Sequence, residues 1–531
     1  MPVVELVIKP DGRTWAGRAA DHFRALMDGP RDRAEEARRF RRQLGLPADR
    51  PVIMSGHQAG VWHAGILAKW LAAVRTAAAC GGEAAWVVVD QDTEDFTLLR
   101  VPVRDAEPAA TDHAPAEAPA RAAAIALAPE ELGRALRSDR PAGVLPSFTP
   151  HQPRPPEGTR WALAQLGPRL DSIAAALAGH VMAPGGARPA TAAEQLAQAV
   201  RELIGQAHPG LPAPRLVYPT RLHATDLFSV LTERMAAEAR ACVSAYNDAV
   251  RAHGAHGLGT LLMPAARQAG GGKIELPLWR LDPNPPALGG RRRVYATEDG
   301  GGLPAPGQVV PRALCLTGLL RLAACDMFIH GLGGGATPEA GEAGGTGGSG
   351  EAPARRGQAE PDQHGLEPGG DGYDRATEAW IWRWLGRGLA PAVLATATVT
   401  LPLSSRAPLR RADLWHAQWK AHAAAHSPGL LGEQGAERQK RALAAMASDR
   451  SRPADQRRAI YERMHELIGA VRRARRDKLD EYTGRAAELR QRLGAEGVAH
   501  DRAWPFALHS PEDLDELSRR IAEALGAPGD A

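Results

Sequence analysis

Hydrophobic spacing switches between a helical and a strand period several times along this chain, and the switches outline its elements. Over the first 50 residues, "WAGRAADHFRALM" and "RDRAEEARRFRRQLG" carry apolar residues at helical spacing and predict a helical lead-in. A short strand follows over Pro51 to Met54, then a helix from Trp62 to Ala79. The continuous apolar run Ala85 to Val89 has the character of a buried parallel strand. Strand, helix and strand in such close succession form a βαβ unit, which expects a right-handed crossover.

Residues 105–160 are dominated by Ala and Pro and predict a loop-rich connector, and helical patterns return over 161–207. The stretch opening at "PRLVYPTRLHATD" predicts a strand, a loop and a long helix from about Thr225. "IELPLWRLD" and "RRRVYATED" pair as a β-hairpin with an extended turn. A helix over Ala313 to Ala324 leads to a short strand, Met327 to Ile329, that ends at His330-Gly331. Residues 331–372 hold 15 glycines in 42 positions and almost no large apolar group. Such a segment buries too little surface to offset its ordering entropy, so disorder is expected. Structure resumes with "YDRATEAWIWRWLG" and the alternating run "AVLATATVTLPL".

Near the C-terminus, Ile460, Met464, Leu467, Val471 and Ala474 follow a heptad stripe. Leu479, Tyr482, Ala486, Leu489 and Leu493 resume it after a one-residue skip. An earlier helix, "GAERQKRALAAMASD", is placed to fold back antiparallel, and the expectation is a coiled-coil arm of the kind that commonly dimerises.

Composition narrows the class without naming it. The chain has 531 residues, too many for one ordinary core, with 44% hydrophobic and 24% charged positions. A net charge of +4 over that length gives no concentrated basic face, so nucleic acid is not an expected partner. Cys80, Cys242, Cys315 and Cys325 are widely spaced with no CxxC, which fits buried, reduced thiols. The N-terminus lacks a signal-peptide core, and no run reaches the ~20 apolar residues of a membrane span. A soluble cytoplasmic protein is expected, with no membrane partner.

Three polar clusters are candidates for chemistry. In "PVIMSGHQAGVWHAGILAKWLAA", Gly56 and Gly60 let the backbone bend at a strand-to-helix junction, and His57 and His63 bracket it. A helix N-terminus there favours an anion. The alternative is an ordinary glycine-bearing turn with surface histidines. The second cluster, Asp90-Gln91-Asp92-Thr93-Glu94-Asp95, ends the next strand. Parallel strands open on one edge, so these acids are placed to face His57, where a carboxylate raises imidazole basicity. A solvated acidic turn is the competing reading. The third joins Arg312, Asp326 and His330 to Tyr373 and Asp374, which become neighbours of His330 if the Gly-rich insert loops out. A helix-capping Asp and a core histidine would explain the same residues. The strip Arg291 to Arg293 is either an anion contact or a solvated hairpin face. No spacing resembles a metal motif, and there is no P-loop, no GxSxG and no complete dinucleotide fingerprint.

"SGHQAGVWHAGILAKWLAA" resembles the Gly-Gln-Gln-x-Gly turn and following helix near the start of the bacillithiol-synthesis cysteine-adding enzymes (BshC). "AWVVVDQDTEDF" is similar to that family's Trp-containing strand ending in an acidic cluster, and "RAWPFALHSPEDL" to its closing segment. Three departures stand out: His57 occupies the place of the first glutamine, Asp92 that of a histidine, and the Gly-rich insert is foreign to the family pattern. The resemblance implies an α/β fold with a Rossmann-like parallel-sheet core, inserted connecting segments and a C-terminal α-helical coiled coil. On that plan, 1–104 is the first part of the core with its helical lead-in, 105–210 a connector and helical insertion, and 211–330 the continued core with its hairpin. The disordered insert (331–372), the end of the core (373–430), the coiled-coil arm (431–500) and a C-terminal segment (501–531) follow.

The activity implied is addition of cysteine, or a similar amino acid, to the amine of a glucosaminyl-malate-like acceptor, in a homodimer. For that chemistry His57 and Asp92 are assigned here as the acid/base pair, with Gln58 and Asp90 positioning the sugar. Gly56, Gly60 and His63 bind an anion, and Arg312, Asp326, His330, Tyr373 and Asp374 complete the substrate wall. ATP or ADP is the candidate cofactor. Two rivals remain: an adenylating ligase or nucleotidyltransferase acting on another small substrate, and a non-catalytic dimeric scaffold with a degenerate α/β domain.

Overall fold

The computed structural model describes residues 4–106, 120–253, 259–264, 272–281, 290–297, 302–304, 307–331, 372–403, 411–449, 452–499 and 501–526. The Gly-rich stretch expected to be disordered lies outside the described residues except for Gly331 and Gly372. The strands in chain order are β1 (Val4–Lys9), β2 (Val52–Gln58), β3 (Glu83–Val89), β4 (Leu98–Asp105), β5 (Arg121–Ala126) and β6 (Thr159–Trp161). They continue with β7 (Arg215–Val217), β8 (Ile274–Arg280), β9 (Arg292–Ala296), β10 (Val309–Pro311), β11 (Met327–His330) and β12 (Ala392–Val399).

The protein is mixed α/β. Its central sheet has the order β1-β12-β11-β2-β3-β7, parallel throughout except for β1, which runs antiparallel to β12. From β2 the chain builds outward to β3 and β7, then returns to the other side of β2 to add β11 and β12. The strand order therefore reverses between β2 and β11. Those two strands pair only as far as Ser55 and Ile329, while β2 continues to Gln58 alongside β3. A crevice opens where they part.

Helices cover both faces. They are α1 (Trp15–Met27), α2 (Arg31–Gln43), α3 (Ala64–Ala79), α4 (Glu130–Arg137), α5 (Leu166–Gly179), α6 (Ala192–Ala207), α7 (Asp226–Ala237) and α8 (Ala239–His253). After these come α9 (Ala313–Leu319) with a π-helical turn over Leu320–Ala324, α10 (Gly372–Leu385), α11 (Arg411–His426), α12 (Gln434–Ser448), α13 (Ala454–Ala474), α14 (Arg476–Ala499) and α15 (Pro511–Leu525). Alternate strand residues feed two apolar cores, as the period-two pleat requires. Ile53, Trp86, Val88, Ile329 and Ala395 meet α3, α6 and α15 on one side. Val52, Met54, Ala85, Val87 and Phe328 meet α2, α8, α9 and α10 on the other.

Two small antiparallel sheets flank this core, β10-β8-β9 and β5-β4-β6. The predicted hairpin is present as β8–β9. The connector is more ordered than its composition suggests, because β5 and β6 pair on either side of β4 and α4 follows β5. Alanine has little intrinsic strand preference, so the β5 pairing comes from the β4 template rather than from local propensity. The lead-in differs as well, since β1 precedes its helices.

Near the C-terminus, α12 packs on α13 and α11 on α14, so the earlier helix does fold back within the chain. The one-residue skip in the heptad spacing falls at an interruption, Arg475, where φ −119° and ψ 35° leave the helical region. Ile460 and Val471 of the stripe are buried, Met464 and Leu467 half-buried and Ala474 exposed; Ile468, outside the stripe, is buried too. Among the described residues no helix is long and apolar enough to cross a membrane.

Candidate functional site

A cavity of about 500 Å³ lies at the carboxyl ends of β2, β3 and β11, over the crevice where the strand order reverses. That is the size and the topological position expected of a small-molecule site in an open α/β sheet. Gly56, His57 and Gln58 form one side, Gln91 and Asp92 the next, and His330 and Gly331 the far side of the crevice. Above them sit Trp279 and Arg291 from the hairpin, Arg312 at the start of α9, and Tyr373 and Asp374 in the first turn of α10.

Local chemistry fixes each wall. Trp62, Trp70 and Trp86 pack as a tilted cluster with ring centroids 4.6 to 5.8 Å apart, and the Trp62 indole N–H donates to the Gln58 carbonyl at 3.0 Å. This apolar buttress holds the β2-to-α3 turn. At Gly56 a Cβ would lie 2.6 Å from the Val87 carbonyl oxygen, so only glycine lets β2 run this close to β3.

His57 and Gln58 point to opposite faces of the strand. Gln58 donates to Asp92 Oδ2 at 3.2 Å, and Asp92 Oδ1 lies 3.3 Å from Arg291 Nη1. Among the described residues no hydrogen bond joins Asp92 to His57. The expected Asp-supported His57 is therefore corrected: Asp92 is the counter-ion of Arg291 and the partner of Gln58. Among the described residues, the buried His57 Nδ1 has no hydrogen-bond partner. Burial first, then the neighbouring Lys69 and His63, hold its pKa well below the usual histidine value. A neutral imidazole results, and a weak base.

The carboxylate–imidazole pair is found on the other side of the crevice. His330 Nε2 lies 2.9 Å from Asp374 Oδ1, an ion-pair distance without hydrogen-bond alignment, and Asp374 accepts from the fully buried Arg321 at 3.2 Å. Arg321 is anchored in turn by the Ala390 carbonyl and by Glu378. Burial works to raise the Asp374 pKa, but His330 and Arg321 outweigh it and the net displacement is downward. The His330 ring rests against Phe328 at 4.6 Å and near Tyr373 at 6.0 Å, and the Tyr373 hydroxyl meets Thr317 Oγ1 at 3.1 Å.

The upper wall is cationic. Two guanidiniums lie over the Trp279 ring, Arg312 at 4.3 Å and Arg291 at 4.9 Å from its centroid. Arg312 is held by the buried Glu275 at 2.6 Å. The indole gathers two cations at one wall of the cavity. Phosphate or carboxylate oxygens fit this wall, and so do the phosphates of a nucleotide.

Four expected residues lie elsewhere. Asp326 sits at the opposite, amino-terminal end of the sheet, accepting from the Val52 N–H and from Arg41 while contacting His22. A strand end is polar at both edges, and sequence alone does not say which edge a residue before the strand serves. Asp90 is buried and accepts from the Thr220 N–H and hydroxyl, so it fastens β3 to the segment after β7. Burial pushes its pKa up to about 7, partly offset by those bonds. His63 caps α3, its Nδ1 accepting from the Gly65 N–H at 3.1 Å, and Gly60 lies in the turn ahead of it. Trp279, Glu275, Arg321 and Lys69 were not anticipated. Lys69 did leave a trace, as the one charged residue between Ala64 and Val74 in an otherwise apolar helix.

No protein-family model matches the chain, and no curated protein matches it.

Proposed function

We propose that this chain is a BshC-like ligase, joining the carboxylate of cysteine or a similar amino acid to the amine of a glucosaminyl-malate-like acceptor. On this reading the central sheet is a Rossmann-like core, the C-terminal helices are a coiled-coil arm through which two copies pair, and the protein works in the cytoplasm. The observation that supports the chemistry is a single cavity holding a clamped Asp374–His330 pair across from the Trp279 wall with its two arginines.

Amide formation needs an unprotonated amine beside an electrophilic carboxyl carbon. His330, whose Nε2 faces the Asp374 carboxylate, takes the amine proton at its other ring nitrogen, Nδ1, and Arg321 keeps Asp374 ionised so that it can support the resulting imidazolium. Arg312 and Arg291 bind the acceptor's carboxylates, and Gln58 and Asp92 orient its hydroxyls. His57 stays neutral and serves as a hydrogen-bonding group rather than as the base. ATP is the candidate group donor and would supply the activation that turns a carboxylate oxygen into a leaving group.

The test is mass-spectrometric detection of the cysteinyl amide after incubating the protein with glucosaminyl-malate, cysteine and ATP, beside a His330→Gln variant. Cysteine-dependent product that drops at least about 100-fold in the variant supports the reading, which is the usual contribution of a positioned base. Pyrophosphate exchange with ATP that ignores cysteine would favour the adenylating rival. Neither product nor exchange would leave the dimeric scaffold.

A further inference from the structure

Hydroxyl donors in the cavity wall outnumber the acceptors that the protein offers them. Tyr246 of α8 lines the cavity and is 4% exposed, its ring edge-on to Trp380 of α10 with centroids 5.4 Å apart. Among the described residues its hydroxyl has no hydrogen-bond partner. In the same wall, Thr317 of α9 and Tyr373 of α10 share one bond, with their hydroxyl oxygens 3.1 Å apart. Two hydroxyls carry two protons, and one bond between them uses one. The wall therefore keeps two O–H donors for whatever fills the cavity.

Charge decides what those donors meet. The buried Glu275 answers two arginines, Arg312 at 2.6 Å and Arg293 at 3.3 Å. One carboxylate against two guanidiniums leaves a surplus of one positive charge at this corner. Arg291 adds nothing to it, because Asp92 pairs with it at 3.3 Å. On the His330 side the excess is reversed, since Arg321 faces both Asp374 and Glu378. The anionic end of a ligand thus belongs at the Arg312 corner. A surplus of one charge matches a carboxylate, whereas a phosphate monoester carries about −1.5 to −2 at pH 7.

We propose that the Arg312 corner is a carboxylate subsite and that Tyr246 is its specificity-determining residue, the phenol donating to a carboxylate oxygen of the ligand beside the guanidinium. Burial foremost raises the Tyr246 pKa to about 12, with Arg312, Cys315 and Glu275 also acting on it. The phenol keeps its proton at neutral pH and stays a donor. Thr317 and Tyr373 supply the second donor to the same group.

This inference rests on the cavity being the acceptor site of the proposed ligase, and it adds where the acceptor's acid end lies. Its test is read without turnover. L-malate and inorganic phosphate are titrated separately into the wild type and Tyr246→Phe by calorimetry, and the melting temperature of each empty protein is recorded. Expected is malate binding to the wild type, tighter than phosphate binding and weakened about tenfold or more in Tyr246→Phe, as for a hydrogen bond to a charged group. Tyr246→Phe should melt no lower than the wild type, because losing this hydroxyl strands no partner. Unchanged malate affinity in Tyr246→Phe, a lower melting temperature for it, phosphate bound more tightly than malate, or no malate binding to the wild type overturns the proposal. Tyr246-dependent malate binding without cysteinyl amide formation keeps the subsite and loses the ligase; amide formation with malate affinity unchanged in Tyr246→Phe does the reverse.

Discussion

Replacing Asp326 with alanine separates stability from ligand recognition in this fold. The Asp326 carboxylate is fully buried and takes hydrogen bonds from Arg41 Nη2 at 2.9 Å and the Val52 N–H at 2.8 Å, with His22 Nδ1 at 3.1 Å. Arg41 is buried as well, its other contacts being carbonyls of Ala323 and Arg50. Removing the carboxylate strands a guanidinium in the core, which typically costs about 3–5 kcal/mol. Against a usual total of about 5–15 kcal/mol, that is a large share of the stability. The lesion is remote from the cavity. Val52 and Gln58 bound a seven-residue strand, so the two ends lie about 20 Å apart at about 3.3 Å per residue. Urea unfolding followed by circular dichroism should show a clear drop in midpoint. Ligand-induced melting shifts, measured below the new transition, should persist. Joint replacement, Arg41→Met with Asp326→Leu, should recover most of the loss, because an apolar pair leaves no buried charge. An Asp326→Ala protein within about 1 kcal/mol of the wild type would refute the buried-pair argument. Loss of the ligand response at wild-type stability would return Asp326 to the site.

Two further substitutions probe the junction of β2 and α3. Gly56→Ala would put a methyl 2.6 Å from the Val87 carbonyl and 2.7 Å from its Cβ, so β2 and β3 must spread. A loss of about 1–3 kcal/mol is expected, with weakened anion binding as His57 and Gln58 shift, and a fully stable, fully binding variant would contradict it. His63 acts through its cap and its titration. Burial, followed by Arg502 and Lys69, lowers its pKa from 6.5 to about 4. The unfolded chain therefore takes up a proton first, and stability falls as pH drops from about 6.5 to about 4. His63→Asn should keep the cap and flatten that part of the pH–stability profile. His63→Ala should flatten it and also lose about 1 kcal/mol at neutral pH. An unchanged profile in either variant would move the pH dependence to another group.

The central strands were legible in sequence where both faces are buried. Ala85 to Val89 and Met327 to Ile329 read as continuous apolar runs because each packs helices on two sides. β1 was not, since its "VELVIK" is short and its partner, β12, lies almost the whole core away in sequence. Long-range pairing leaves no local mark. The connector's strand is a similar case, an alanine run whose extension is imposed by its neighbour. For the site, sequence brought His330 and Asp374 to one wall by looping out the segment between them, and that adjacency is present. It mispaired Asp92 with His57 because two residues next to each other at a strand end face opposite sides of the sheet, and the side is fixed only by the register.

Charge compensation explains the remaining gap. Which carboxylate answers which arginine depends on elements far apart in the chain: Asp92 with Arg291, Glu275 with Arg312, and Asp374 with Arg321. Sequence displays the charges without their pairing. It can display a charge in the wrong surroundings, however, and Lys69 is that case, alone in "AGILAKWLAAV". A helix buried on nearly every side has no solvent into which a lysine can extend, so its ammonium must meet a polar group inside the fold. Here it meets the Gly56 carbonyl, one residue beyond the last pair of β2 with β11. The lysine's polar contact and the crevice thus both lie where the strand order reverses, and extending the β2–β11 pairing past Ser55 would disturb the two together.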